Sequence, residues 1–172
     1  MRAVIVLLIT ILFGCSTVTP EYQSCTPIWH LKSYNINYCG EQPHSMDFES
    51  YIQTFEKMWN ENIMFPYDPR AVHAALDNIT IFWQPYIFRA PDQDNRMLGL
   101  TYWPPKGRIR MYVYIPINCR NSTCTALGHE LLHVAYGAVA GDMYTEHLNN
   151  GPNWPDYHIK FIEKVNQAYL NI

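Results

Sequence analysis

The sequence has no surplus of positive charge and no long block of either sign. Its 12 lysines and arginines face 15 aspartates and glutamates, leaving a net charge of −3. That balance excludes the electrostatic footprint of a nucleic-acid binder, and no acidic run marks an interaction tail. Internal repeats and low-complexity stretches are absent as well, so neither a solenoid nor a biased tract is expected. The apolar run over residues 3–13 is too short to cross a bilayer as an ordinary helix. No two cysteines show the two-residue gap of zinc ribbons, which disfavours a metal site built from cysteine alone. With 172 residues, two domains do not fit comfortably, while an apolar fraction of 48% argues against disorder.

What is present begins with a signal. Arg2 precedes the apolar stretch Ala3–Phe13, broken only by Thr10, and Gly14-Cys15 follows at once. This is the layout of a secretory signal core. The ending Leu12-Phe13-Gly14-Cys15 resembles the lipobox of bacterial lipoproteins, with Phe13 where a small or aliphatic residue is usual. The resemblance implies a signal peptide over 1–14 and a lipidated Cys15 as the only link to a membrane. It also implies a site on the periplasmic face of the envelope, with Ser16 favouring the outer membrane. A plain signal peptide with a chance cysteine is the alternative, and it too exports the chain.

An oxidising compartment suits the remaining cysteines, Cys25, Cys39, Cys119 and Cys124, which are even in number. Of the three possible pairings, Cys25–Cys39 and Cys119–Cys124 are favoured because short loops close readily. Residues 15–45 carry Pro20, Pro27, Gly40 and Pro43 without a sustained period, as in a tether and stapled loop. The domain proper is expected over 46–172.

Within it Phe48, Tyr51, Ile52, Phe55, Met58 and Trp59 recur at helical steps, with Ser45 or Asp47 as cap. A short helix is expected over Pro69–Leu76 and a strand over Ile79–Trp83. Leu98–Trp103 and Arg108–Ile115 read as two strands around Pro104-Pro105-Lys106-Gly107. In the second, Arg108, Arg110, Tyr112 and Tyr114 alternate with aliphatic residues, the pattern of a half-buried or edge strand. Helices over Ser122–Ala138 and Pro155–Tyr169 follow, the first ending near Gly137 and Gly141.

The first of those helices carries His129-Glu130-Leu131-Leu132-His133. Histidines four apart on a helix share one face and can bind one metal ion, for which Zn2+ is the natural candidate. Glu130 beside them is placed to take a proton from a metal-activated water rather than to ligate. Leu127, Leu131, Val134, Ala135 and Ala138 form an apolar stripe nearly opposite the histidines. A core face and a separate His-Glu-His face are therefore expected.

This HExxH segment resembles that of the zincin metallopeptidases. The resemblance implies an α+β fold: a backing helix, a small mainly antiparallel sheet with an edge strand for substrate, the HExxH helix and a C-terminal helix. It implies peptide or protein as substrate. A third ligand is then required. Val139 stands where metzincins place histidine, and Glu163 is late in its helix for a thermolysin-like ligand. Similarity to SprT-like proteins implies His147, which has their separation from the motif, or His158, which has their context before Phe161, Ile162 and Val165. His147 is favoured as ligand, with His158 as a catalytic donor or a support for the ligands. Asp142, Tyr144 and Tyr157 are weaker candidates. The competing function is a zinc-binding envelope lipoprotein without turnover, serving as a binding or structural module.

Overall fold

The computed structural model describes residues 29–31, 33–40, 46–62, 68–84, 87–89, 96–114, 125–141 and 157–171. Residues 1–28, and with them the expected signal peptide, Cys15 and Cys25, lie outside that set. So do Cys119, Cys124, Asp142, Tyr144 and His147.

Two short strands come first, β1 (Trp29–His30) and β2 (Asn37–Cys39). Helix α1 (Phe48–Asn62) starts where Asp47 Oδ1 accepts the Ser50 amide at 3.1 Å, satisfying an otherwise unpaired first-turn donor. Its buried residues Phe48, Tyr51, Ile52, Phe55 and Trp59 follow the helical steps of the sequence. Helix α2 (Pro69–Asp77) is capped by Asp68, which accepts the Arg70 amide at 3.0 Å, and Pro69 opens it with a φ already suited to a helix. Strands β3 (Ile79–Gln84), β4 (Phe88–Arg89), β5 (Arg96–Met97), β6 (Gly99–Tyr102) and β7 (Ile109–Tyr114) precede the last two helices. These are α3 (Thr125–Ala140) and α4 (Tyr157–Leu170).

The fold is α+β, with helices against a five-stranded sheet in the order β1-β2-β3-β7-β6, while β4 and β5 form a separate pair. The sheet is mixed rather than mainly antiparallel. β2–β3 and β3–β7 run parallel, whereas β1–β2 and β6–β7 run antiparallel. The long α1–α2 connection between β2 and β3 permits the parallel pairing, which a tight turn could not.

Two further expectations are corrected by this topology. The stretch 15–45 is not loop throughout: β2 pairs with β3, and Tyr34, Ile36 and Tyr38 are buried in the main core. The domain therefore begins before residue 46. Three paired residues are too few to show a period, so only their neighbour in space reveals the strand. Cys39, at the end of β2, is disulfide-bonded, and its partner lies outside the described residues. The two pairings favoured from the sequence therefore also lie outside them.

Of the two readings of Arg108–Ile115, half-buried or edge, the edge one is excluded, since β7 lies between β3 and β6, and β6 is the terminal strand among the described residues. The face expected to be polar or amphipathic is closed over Tyr112, which stacks on Phe82 at 4.7 Å and packs with Cys39 and Leu100.

The other face of the sheet meets the helices through Ile79, Ile81, Trp83, Ile109, Met111 and Val113. Buried Leu127, Leu131, Val134 and Ala135 come up from α3, with Ala138 packed partly against them. Gly128 fixes how close α3 comes to its neighbours. A Cβ there would stand 2.8 Å from Ile162 Cγ2 on α4 and 2.9 Å from the Tyr51 hydroxyl on α1. Only a residue without a side chain allows that three-helix crossing, one position before His129. Gly141, in a left-handed conformation at φ 72°, closes the helix with its amide on Gly137 O.

Candidate metal centre

His129, Glu130 and His133 all stand on α3, and their donor atoms lie within 4.8 Å of one another. The helix alone accounts for the histidine pair: one turn separates them, so both rings leave the same face. The Nε2 atoms are 3.2 Å apart and the rings meet nearly edge to face, at 84°. Both histidines are half-buried.

Glu130 is only 3% exposed, its carboxylate covered by β6. Thr101 Oγ1 on β6 donates to Glu130 Oε2 at 2.6 Å. Gly99, two residues earlier on the same strand, leaves the room: a Cβ there would fall 2.3 Å from Oε1. Neither residue was singled out in the sequence. The available signal was a glycine inside a strand pattern, which often marks a close approach.

Burial pushes the Glu130 carboxyl up to about 8, against a partial pull downward from the Thr101 hydrogen bond. Desolvation wins because, among the described residues, the Thr101 hydroxyl offsets only part of what the charged form loses in water. In the metal-free protein the folded state thus holds a proton that the unfolded chain releases near its ordinary value of 4.5. A raised carboxyl favours the folded state fully at low pH and loses that advantage as pH rises through this window. The metal-free chain should therefore lose thermal stability between about pH 5 and about pH 8. Metal-free Glu130→Gln should lack that component. Parallel melting midpoints for the two proteins across the window would contradict it.

Of the remaining candidates, His158 and Glu163 stand on α4. His158 stands in the first turn of α4, one helical turn before buried Phe161 and Ile162. Helix α4 packs on α3 through Ile162 beside Gly128, and on α1 where the Tyr51 hydroxyl donates to Asn166 Oδ1 at 2.7 Å. His147 lies outside the described residues. Glu163 is exposed on α4.

No family model, curated protein or solved structure matches the chain.

Proposed function

We propose that this chain is a zinc-dependent peptidase of the minimal zincin type, with His129 and His133 as ligands and Glu130 as general base. The observation that carries the reading is the convergence of two imidazole nitrogens at 3.2 Å beside a buried carboxylate. Two nitrogens each ~2.0–2.1 Å from a tetrahedral zinc ion stand about 3.3 Å apart, so the pair fits the ion without rearrangement. Imidazole nitrogen also suits zinc better than it suits calcium or magnesium. His147 supplies the third ligand by its separation from the motif, and His158 supports the site from α4.

When bound, zinc supplies Lewis acidity that lowers the pKa of a coordinated water towards about 7. Glu130 accepts the proton of the attacking water as its oxygen adds to the peptide carbonyl carbon. The same carboxyl then gives that proton to the nitrogen as the C–N bond breaks, leaving an acid and an amine. His158 donates a hydrogen bond to the oxygen that gains negative charge. Strand β6 lies beside α3 at the sheet's end, where an extended peptide can add through main-chain hydrogen bonds. The order α1, sheet, α3, α4 supports the same reading.

The test is metal content together with chelation. Purified protein should carry about one zinc ion per chain. Its cleavage of a fluorogenic peptide library should stop with 1,10-phenanthroline and return when Zn2+ is restored. Protein that takes up no zinc, or cleavage indifferent to the chelator, would defeat the reading.

A further inference from the structure

The rows of side chains that cross the sheet end at β6 in two unlike residues. Ile81, Met111 and Thr101 are successive partners in one row, and Trp83, Val113 and Gly99 in the next. The four apolar members belong to the core beneath the helices. Where an apolar side chain would continue each row, the chain instead has a hydroxyl and a hydrogen atom. Glu130 fills the space so made. Thr101 is itself buried and holds Oε2 at 2.6 Å. Over Gly99 the fit is tight along the whole side chain, since an added Cβ would lie 2.6 Å from Glu130 Cγ and 2.7 Å from Cδ.

A carboxylate this close to two histidine nitrogens can serve in two ways. It can swing onto a metal held by them and become a ligand, or stay beside it and act as a base. The first disables the second, because coordination draws off the electron pair that would accept a proton.

We propose that β6 makes this choice, with Thr101 as a positioning residue that keeps Glu130 beside the metal rather than on it. Gly99 leaves the space in which that position exists. The inference rests on the metal reading above and adds a residue to it that does not touch substrate.

The probe is Co2+, whose visible absorption reports coordination number and ligand type. Wild type, Thr101→Val, Thr101→Ser and Gly99→Ala are each loaded with Co2+ alone, and bound metal is counted. Thr101→Val removes the hydrogen bond at constant shape, and Gly99→Ala displaces the same carboxylate by steric force. Both should bind metal yet shift the absorption bands as Glu130 joins the coordination sphere. With Zn2+ and one library peptide, both should lose roughly tenfold or more in kcat at nearly constant KM. Thr101→Ser keeps the hydroxyl and should recover the wild-type spectrum and most of the rate. Thr101→Val with the wild-type spectrum and kcat overturns the proposal alone. If one variant fails to fold, the other decides by the same spectral and kinetic criteria. Wild type that binds no Co2+ would instead bring down the metal reading, before any variant is compared.

Discussion

Glu130→Gln is expected to keep its metal and its fold while losing at least ~100-fold in hydrolytic rate, the low end for a positioned acid–base group. The amide fills the same space between Gly99 and Thr101 and can still accept the Thr101 hydroxyl through its oxygen. What it cannot do is receive a proton from water and return it to an amine. Fold and metal retention are favoured because the variant keeps His129 and His133 and removes a carboxyl that is costly to bury charged. Metal analysis, circular dichroism and single-turnover cleavage of a library peptide separate these effects. Full activity in a metal-loaded variant would remove Glu130 from the mechanism.

His129→Ala and His133→Ala should have the larger effect, since each removes a ligand rather than a proton carrier. Both should lose zinc and hydrolysis together. Each should also lose the thermal stabilisation that zinc confers on wild type, because metal binding to the folded state contributes to folding free energy. The comparison is a melting curve with and without added Zn2+ for each protein. A midpoint that rises with zinc in His129→Ala as much as in wild type would show that the ion binds elsewhere. The metal-free midpoints should differ little among the three, because both rings are half-buried and leave no large cavity.

The parts of this architecture written in local spacing are legible in the chain itself. The aromatic and aliphatic steps of α1, the Pro69 start of α2 and the β-branched run Ile79–Ile81 each depend on residues within a turn or two. The histidine pair is legible for the same reason. What depends on residues far apart is not. Asn37–Cys39 is a strand only because β3 lies beside it, and Tyr112 is buried only because Phe82 and Leu100 cover it. An alternating pattern ending in tyrosines has the same appearance at an edge and in the interior. The setting of Glu130 was hidden in the same way. Thr101 is 29 positions away, and nothing about either residue alone announces their hydrogen bond.

The ties between α1 and α4 bear on how the chain reaches this state. Tyr51 and Asn166 are 115 positions apart, and the Asp47 amide reaches the Tyr169 hydroxyl across 122. During synthesis α1 emerges with Tyr51 and Phe55 uncovered and waits for nearly the whole remaining chain before α4 can close over them. Loops of that length form late and slow the search for the native state. The exposed aromatic surface meanwhile invites association with other chains. Because α3 packs at Gly128 against both helices, the histidine pair, spaced by its own helical turn, takes its final place in the fold against neighbours that assemble last. On the proposed zinc reading, metal capture is expected to follow completion of the fold rather than the appearance of the motif.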